Sequence, residues 1–343
     1  MKKYILTLLL GSAMCSLSAQ HIADSNFVQA IKWQCPTCID TSNNLTSVAQ
    51  SIRTITLSNN ISNLTGINGF SSLTALNCAD NNLTSLPTLP ANLKTFHCSN
   101  NKLTQLPTLP LSLTALYCRS NQLVTLPVLP SNLLLLDCSN NKLNKIPALP
   151  FTLKNFYCSY NEIFTLPYLP GSITDMGCSN NFLSKLPELP PFLIFLSCFN
   201  NTTLTCLPTL PDSLLYIEVS SNITCLPNSI KKLSIFQYDG QSFKLATLPI
   251  CSAIKPNPCG TTAIHSIELD NRIRIFPSIT GGGVFIDSDG LSLEQALVFN
   301  RMGQIIGQTK SSQLDLSAFP SGLYFIQVIV GGSRVVRKVV KNN

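Results

Sequence analysis

The sequence predicts a β-rich solenoid of parallel strands with an extended convex side, followed by a small antiparallel β-sandwich. Three observations carry this expectation. Seven cysteines, Cys78, Cys98, Cys118, Cys138, Cys158, Cys178 and Cys198, stand 20 residues apart, and a fixed period of that length marks stacked repeats. An LPxLP phrase recurs in step with them, and two prolines three residues apart remove backbone donors and hold the chain extended, so this half of each repeat cannot be helical. From Ile267 onward both rhythms stop, and Gly turns separate alternating runs of Val and Ile.

The chain of 343 residues, 45% hydrophobic, can hold two folded units. Residues 1–19 read as a secretory signal: Lys2 and Lys3 form the positive start, Tyr4 to Leu10 the apolar core, and Ser16 to Ala19 a small-residue cleavage stretch. Met14 stands before Cys15 where a lipid-modified chain carries a small residue. The mature start is expected at Gln20, and no later run reaches the roughly 18 apolar residues of a membrane helix.

Residues 20–51 form the expected N-terminal cap, with Phe27, Ala30 and Ile31 at helical spacing after Ser25. Cys35 and Cys38 close it. The WQCPTC segment has the CxxC spacing of redox proteins, but no βαβ pattern surrounds it, so a capping disulfide is the plainer account.

Residues 52–249 hold about ten repeats, starting at Ile52, Leu73, Leu93, Leu113, Leu133, Leu153, Ile173, Leu193, Leu214 and Leu233. In LTALNCADNNLTSLPTLPAN, Leu76 and Cys78 alternate with Ala75, Asn77 and Ala79, as in a short half-buried strand. Leu73, Leu76, Cys78 and Leu83, with their equivalents, should face one shared core. Asn81, Asn101, Asn121, Asn141, Asn161 and Asn181 sit where the chain leaves the strand, where an amide can satisfy turn backbone groups. The ladder cysteines should remain reduced core filler. Cys206 and Cys225 each precede an LP pair in adjacent repeats and are expected to bridge. Residues 250–266 form the expected C-terminal cap and linker, where Cys251 and Cys259 bracket a Pro-rich turn.

In residues 267–343, strands are expected at Arg272 to Phe276, Gly283 to Asp287, Gln295 to Asn300, Ile305 to Gln308, Leu323 to Val330 and Arg334 to Val340.

The pattern LxxLxCxxNxLxxLPxLPxx resembles the leucine-rich repeat in its short bacterial form. RIFPSITGG from Arg274, ALVFNRMGQII from Ala296 and LDLSAFPSGLYFIQVIVGGSRVVRKVVK from Leu314 resemble the type A sorting domain of the type IX secretion system. The first departs from that family, with Phe276 for the usual tyrosine and Ser278 and Ile279 where Asn-Pro is common. The resemblance implies partners in the export machinery and a sortase-type protease, and delivery to the outer-membrane surface of a Gram-negative bacterium. It also implies roles in recognition for Pro277, Gly281, Gly303, Gly322, Tyr324 and Lys338.

The net charge is +7, or +5 without the two signal lysines (7 − 2), and no dense Lys/Arg run supports nucleic-acid binding. His21, His97 and His265 are scattered and no catalytic motif is present, so neither an enzyme nor a cofactor or metal is expected. Thr95, His97, Ala115, Tyr117, Arg119, Asp137, Tyr157, Tyr160, Phe195, Phe199, Tyr216 and Glu218 vary on the outward, concave positions while the core stays constant. Tyr and Arg are residues that interfaces favour, so a protein or glycan platform is the expected role. A structural spacer with self-associating repeats is the alternative, favoured if Leu135, Phe195 and Phe199 form one patch.

Overall fold

A computed structural model describes residues 20–58, 60–230, 233, 235–238, 241–243, 248–251, 273–288, 292–301, 303–330 and 333–342. The expected signal segment and Cys259 lie outside these residues.

One helix, α1 (Ser25–Gln34), covers the first repeat and buries Phe27, Val28, Ala30 and Ile31. Its cap residue Asp24 accepts from Phe27 N with one carboxylate oxygen and from the backbone and hydroxyl of Ser62 and the backbone of Asn63 with the other. Burial pushes this carboxyl up, but the hydrogen bonds together outweigh it and leave the pKa below its ordinary 3.8. Helix and first repeat are thereby joined through one side chain. Cys35 and Cys38 form a disulfide at the end of α1.

Strands β1 (Thr54–Thr56), β2 (Ala75–Asn77), β3 (Thr95–His97), β4 (Ala115–Tyr117), β5 (Leu135–Asp137), β6 (Asn155–Tyr157), β7 (Asp175–Gly177), β8 (Phe195–Ser197), β9 (Tyr216–Val219) and β10 (Ile235–Tyr238) pair in chain order. β11 (Gln241–Phe243) closes the sheet as an antiparallel edge. Register advances by one repeat per strand, so Leu76, Phe96, Leu116, Leu136 and Phe156 form one row across the sheet. Each strand is only three or four residues long, and in the central turns the chain takes a left-handed residue, Asp80 or its equivalent, three positions past the strand end.

Leu73, Leu76, Cys78, Leu83 and their equivalents are essentially fully buried in one continuous core. The exit asparagines lock neighbouring turns together. Asn161 donates to the carbonyls of Cys138 and Cys158 and accepts from Leu143 N, and the same set recurs at Asn81, Asn101, Asn121, Asn141, Asn181 and Asn201. The ladder cysteines are free and buried. Burial pushes all seven thiols well above their ordinary 9.0, to about 12 at Cys78 and Cys198.

The expected Cys206–Cys225 bridge is corrected: Cys225 is bonded to Cys251, and Cys206 is bonded to a different cysteine. The reason is a returning segment that the repeat count did not anticipate. Leu226 pairs with Ile250 as an isolated parallel bridge, with Leu226 N on Pro249 O and Cys251 N on Leu226 O. That brings the two Cα atoms to 5.1 Å, within the range a disulfide requires.

The C-terminal part contains two sheets. β12 (Arg274–Phe276), β14 (Gly283–Asp287) and β17 (Gln313–Asp315) form one; β13 (Ile279–Thr280), β19 (Ser333–Lys341), β18 (Gly322–Val330), β15 (Leu293–Phe299) and β16 (Ile305–Thr309) form the other. Both contribute to one core, in which Val284, Ile286 and Leu314 of the first meet Ala296, Val298, Ile326, Val328 and Val339 of the second. All pairs are antiparallel except β13 with β19. β13 and β17 are two and three residues long and were not expected from the sequence. Among the described residues, no helix is long and apolar enough to cross a membrane.

Candidate binding face of the solenoid

Every repeat presents its third and fifth positions on the outer face of the parallel sheet. The pairing places Asn77, His97, Tyr117, Asp137, Tyr157, Gly177, Ser197 and Glu218 in one row. His97 and Tyr117 approach with ring centroids 5.1 Å apart, and in the parallel row Phe195 stacks on Tyr216 at 4.7 Å. At the C-terminal end, Ser179 and Ser197 hydroxyls share a 2.6 Å bond, and Ser197 donates to Glu218.

Four of the expected residues converge. Arg119, Asp137, Tyr157 and Tyr160, with Ser139, Asn140 and Ser159, frame a hollow of about 560 Å³. Asp137 accepts from Ser139 N at 3.1 Å, which holds its carboxylate at the hollow's edge. Burial and then the neighbouring Asp175 push the Tyr157 phenol up, so its hydroxyl stays protonated well past neutral pH. The hollow thus combines a guanidinium donor, a carboxylate acceptor, amide and hydroxyl groups, and two aromatic rings.

Tyr160 stands apart in its row. The residue at this repeat position takes a left-handed conformation in every central turn, and it is Asp80, Asn100, Ser120, Asn140, Tyr160, Asn180 and Asn200 in order, with φ between 53° and 58°. Asn and Asp tolerate that region; a bulky residue is a genuine outlier there. Tyr160 accepts it and stays 57% exposed as a residue beside the hollow.

The other expected face residues are not gathered here. Phe195, Tyr216 and Glu218 lie on β8 and β9, two or more strands beyond Tyr157, and Phe199 follows β8. Leu135 is three strands from Phe195, so Leu135, Phe195 and Phe199 do not make one patch. Gly177 was not singled out from the sequence. A Cβ there would meet Tyr157 Cδ1 at 3.2 Å and Ser159 Oγ at 3.3 Å, so its bare backbone is what lets Tyr157 lean across β7. A glycine in a row otherwise filled by side chains was the available signal.

Of the residues implied in sorting, Tyr324 is buried and its hydroxyl donates to Pro320 O at 2.6 Å. Gly303 occupies a turn at φ 75°. Pro277, Gly281 and Lys338 are exposed and Gly322 half-buried; added Cβ atoms at Gly281 and Gly322 would meet nothing within 4 Å.

A stack of 20-residue turns, each with one parallel strand, an inward Leu-Leu-Cys set and a buried exit asparagine, defines a leucine-rich-repeat solenoid. Residues 274–342 match the family described as the secretion system C-terminal sorting domain, which implies an exported, cell-surface-associated protein and an export machinery to carry it. Solved structures similar over the repeats include YopM from Yersinia enterocolitica WA-314, with 34% identity, 48% of this chain and 41% of that chain covered, and a TM-score of 0.41. YopM from Yersinia pestis shares 35% over 48% and 49%, with a TM-score of 0.46. A Shigella effector leucine-rich-repeat domain shares 37% over 40% and 64%, with a TM-score of 0.34. The chain spans less than two thirds of each of them. No curated protein matches it.

Proposed function

We propose that this chain is a non-enzymatic binding protein displayed on the outer-membrane surface of a Gram-negative bacterium, and that the hollow between Arg119 and Tyr160 takes a protein or glycan ligand. The observation that carries the reading is Tyr160: a spacer gains nothing from an aromatic residue in a left-handed position that asparagine, aspartate or serine fills in the other central turns. Strained backbone of this kind concentrates at functional sites. His97, Tyr117, Phe195, Phe199, Tyr216 and Glu218 extend the contact surface along the sheet.

Replacing Tyr160 separates binding from folding. Tyr160→Asn relieves the left-handed strain and is expected to stabilise the solenoid by about 1 kcal/mol, while weakening capture of ligands found on glycan and cell-surface protein arrays. Arg119→Ala and Tyr157→Ala should weaken the same ligands. Array binding that survives all three substitutions would refute the assignment. A spacer with self-associating repeats is favoured by one observation, the adjacent exposed side chains of Phe192, Ile194 and Leu215. It predicts a molecular mass that rises with concentration in light scattering, where a monomeric binder shows none.

In this reading a type IX export system recognises the C-terminal domain and a sortase removes it. Gly281→Ala and Gly322→Ala have room for their methyl groups, so both variants should fold with unchanged melting temperature and yet reach the surface in reduced amount. Normal export of both, measured by surface protease accessibility, would show that these glycines are not read by the machinery.

A further inference from the structure

We infer that the solenoid carries a built seat for the chain's own C-terminal domain, formed by Phe151 and Tyr168 on the turn edge of the fifth and sixth repeats. Phe151 Cβ begins a side chain that stacks on Phe325 of β18, with centroids 3.9 Å apart, and meets Phe299 of β15 edge-on at 5.6 Å. Tyr168 stacks on the other side of Phe299 at 6.0 Å. Equivalent repeat positions show what this covering does. Leu111, two repeats before Phe151, is 75% exposed, whereas Phe151 is 8% exposed; Val128 is 61% exposed, whereas Tyr168 is half-buried.

Phe151 and Phe299 are buried yet belong to neither domain's own core, and both lie in the aromatic contact that Tyr168 and Phe325 share. Two further contacts fix the approach. Arg301 donates to Asn132 Oδ1 at 3.0 Å, and a Cβ on Gly303 would lie 2.4 Å from Leu149 O, so only glycine lets the β15–β16 turn come this close. Aromatic pairs of this geometry contribute beyond their buried area, and the covalent tether supplies a high effective concentration that a small interface can use. The precursor therefore holds its sorting domain stowed on the solenoid, and its removal uncovers an aromatic patch at Phe151 and Tyr168.

The test is cross-linking in the full chain from Gln20. Asn132→Cys with Arg301→Cys is treated with a short bismaleimide at neutral pH, where the buried, protonated ladder thiols stay silent. Stowing predicts a high yield of the intramolecular cross-link. It also predicts a yield near background for Asn92→Cys with Arg301→Cys, at the same repeat position two turns earlier. Adding Phe151→Ser, which places there the residue that occupies the preceding repeat at Ser131, should drop the first pair to the level of the second. Equal yields from the two pairs, or a yield unmoved by Phe151→Ser, would overturn the seat.

Discussion

Raising the pH above about 9 should unfold the solenoid cooperatively, and replacing ladder cysteines should make the loss of stability with pH less steep. The seven thiols have an ordinary pKa of 9.0, and burial raises each of them in the folded state, to about 12 at Cys78 and Cys198. A proton bound more tightly by the folded chain means that this stability is fully present below pH 9 and is lost as pH rises toward 12. The limiting slope is roughly 1.4 kcal/mol per pH unit for each thiol, so seven together approach on the order of 10 kcal/mol per unit. Total stability of a domain is about 5–15 kcal/mol, so the ladder decides the outcome within a unit or two. Tyr157 and Tyr216, whose phenols burial also raises, act in the same direction. Replacing Cys138 and Cys158 by alanine isolates the thiol contribution: it should lower stability at pH 7 through lost packing but make the alkaline fall of stability with pH shallower, since two of seven titrating thiols are gone. Urea unfolding followed by circular dichroism at several pH values reads both. An identical slope in the parent and the double variant would assign the transition to other groups.

Removing one exit asparagine should cost about 3 kcal/mol, more than most single substitutions. Asn161→Ala leaves Leu143 N without its acceptor in a place water does not reach, and removes one of the two asparagine amides that donate to each of the Cys138 and Cys158 carbonyls. By contrast, Asn100→Gly keeps the left-handed turn available and removes one exposed bond to Asp80, so less than about 1 kcal/mol is expected. Urea midpoints of the two variants should separate clearly. Equal midpoints would mean that neighbouring turns are held by strand pairing and core burial alone.

Most of the solenoid was legible because one repeat repeats its physics. A residue inward at Cys78 is inward at Cys98 and onward, and two prolines rule out a helix in every turn at once. The asparagine role was legible for the same reason: a buried amide at a strand exit has few partners other than backbone. Legibility fell where the period broke. The partner of Cys225 depended on a segment that folds back beside Leu226, and no periodicity announces a single bridge. β13 and β17 are too short to show alternation. The face residues could be named one at a time, since outward positions follow from strand parity, but which of them share a hollow depends on side-chain reach and on the gap at Gly177. The seat for Phe299 and Phe325 joins residues more than a hundred positions apart, and nothing in Phe151 itself distinguishes it from exposed Leu111.

The most direct measurement is the intact mass and surface accessibility of the protein in its native host, with and without residues 267–343. Export through a C-terminal sorting domain predicts a surface-attached form whose mass lacks that domain, and no surface form when the domain is deleted. Full-length protein retained in the periplasm, or a surface form that still contains residues 267–343 and does not need them, would contradict the account.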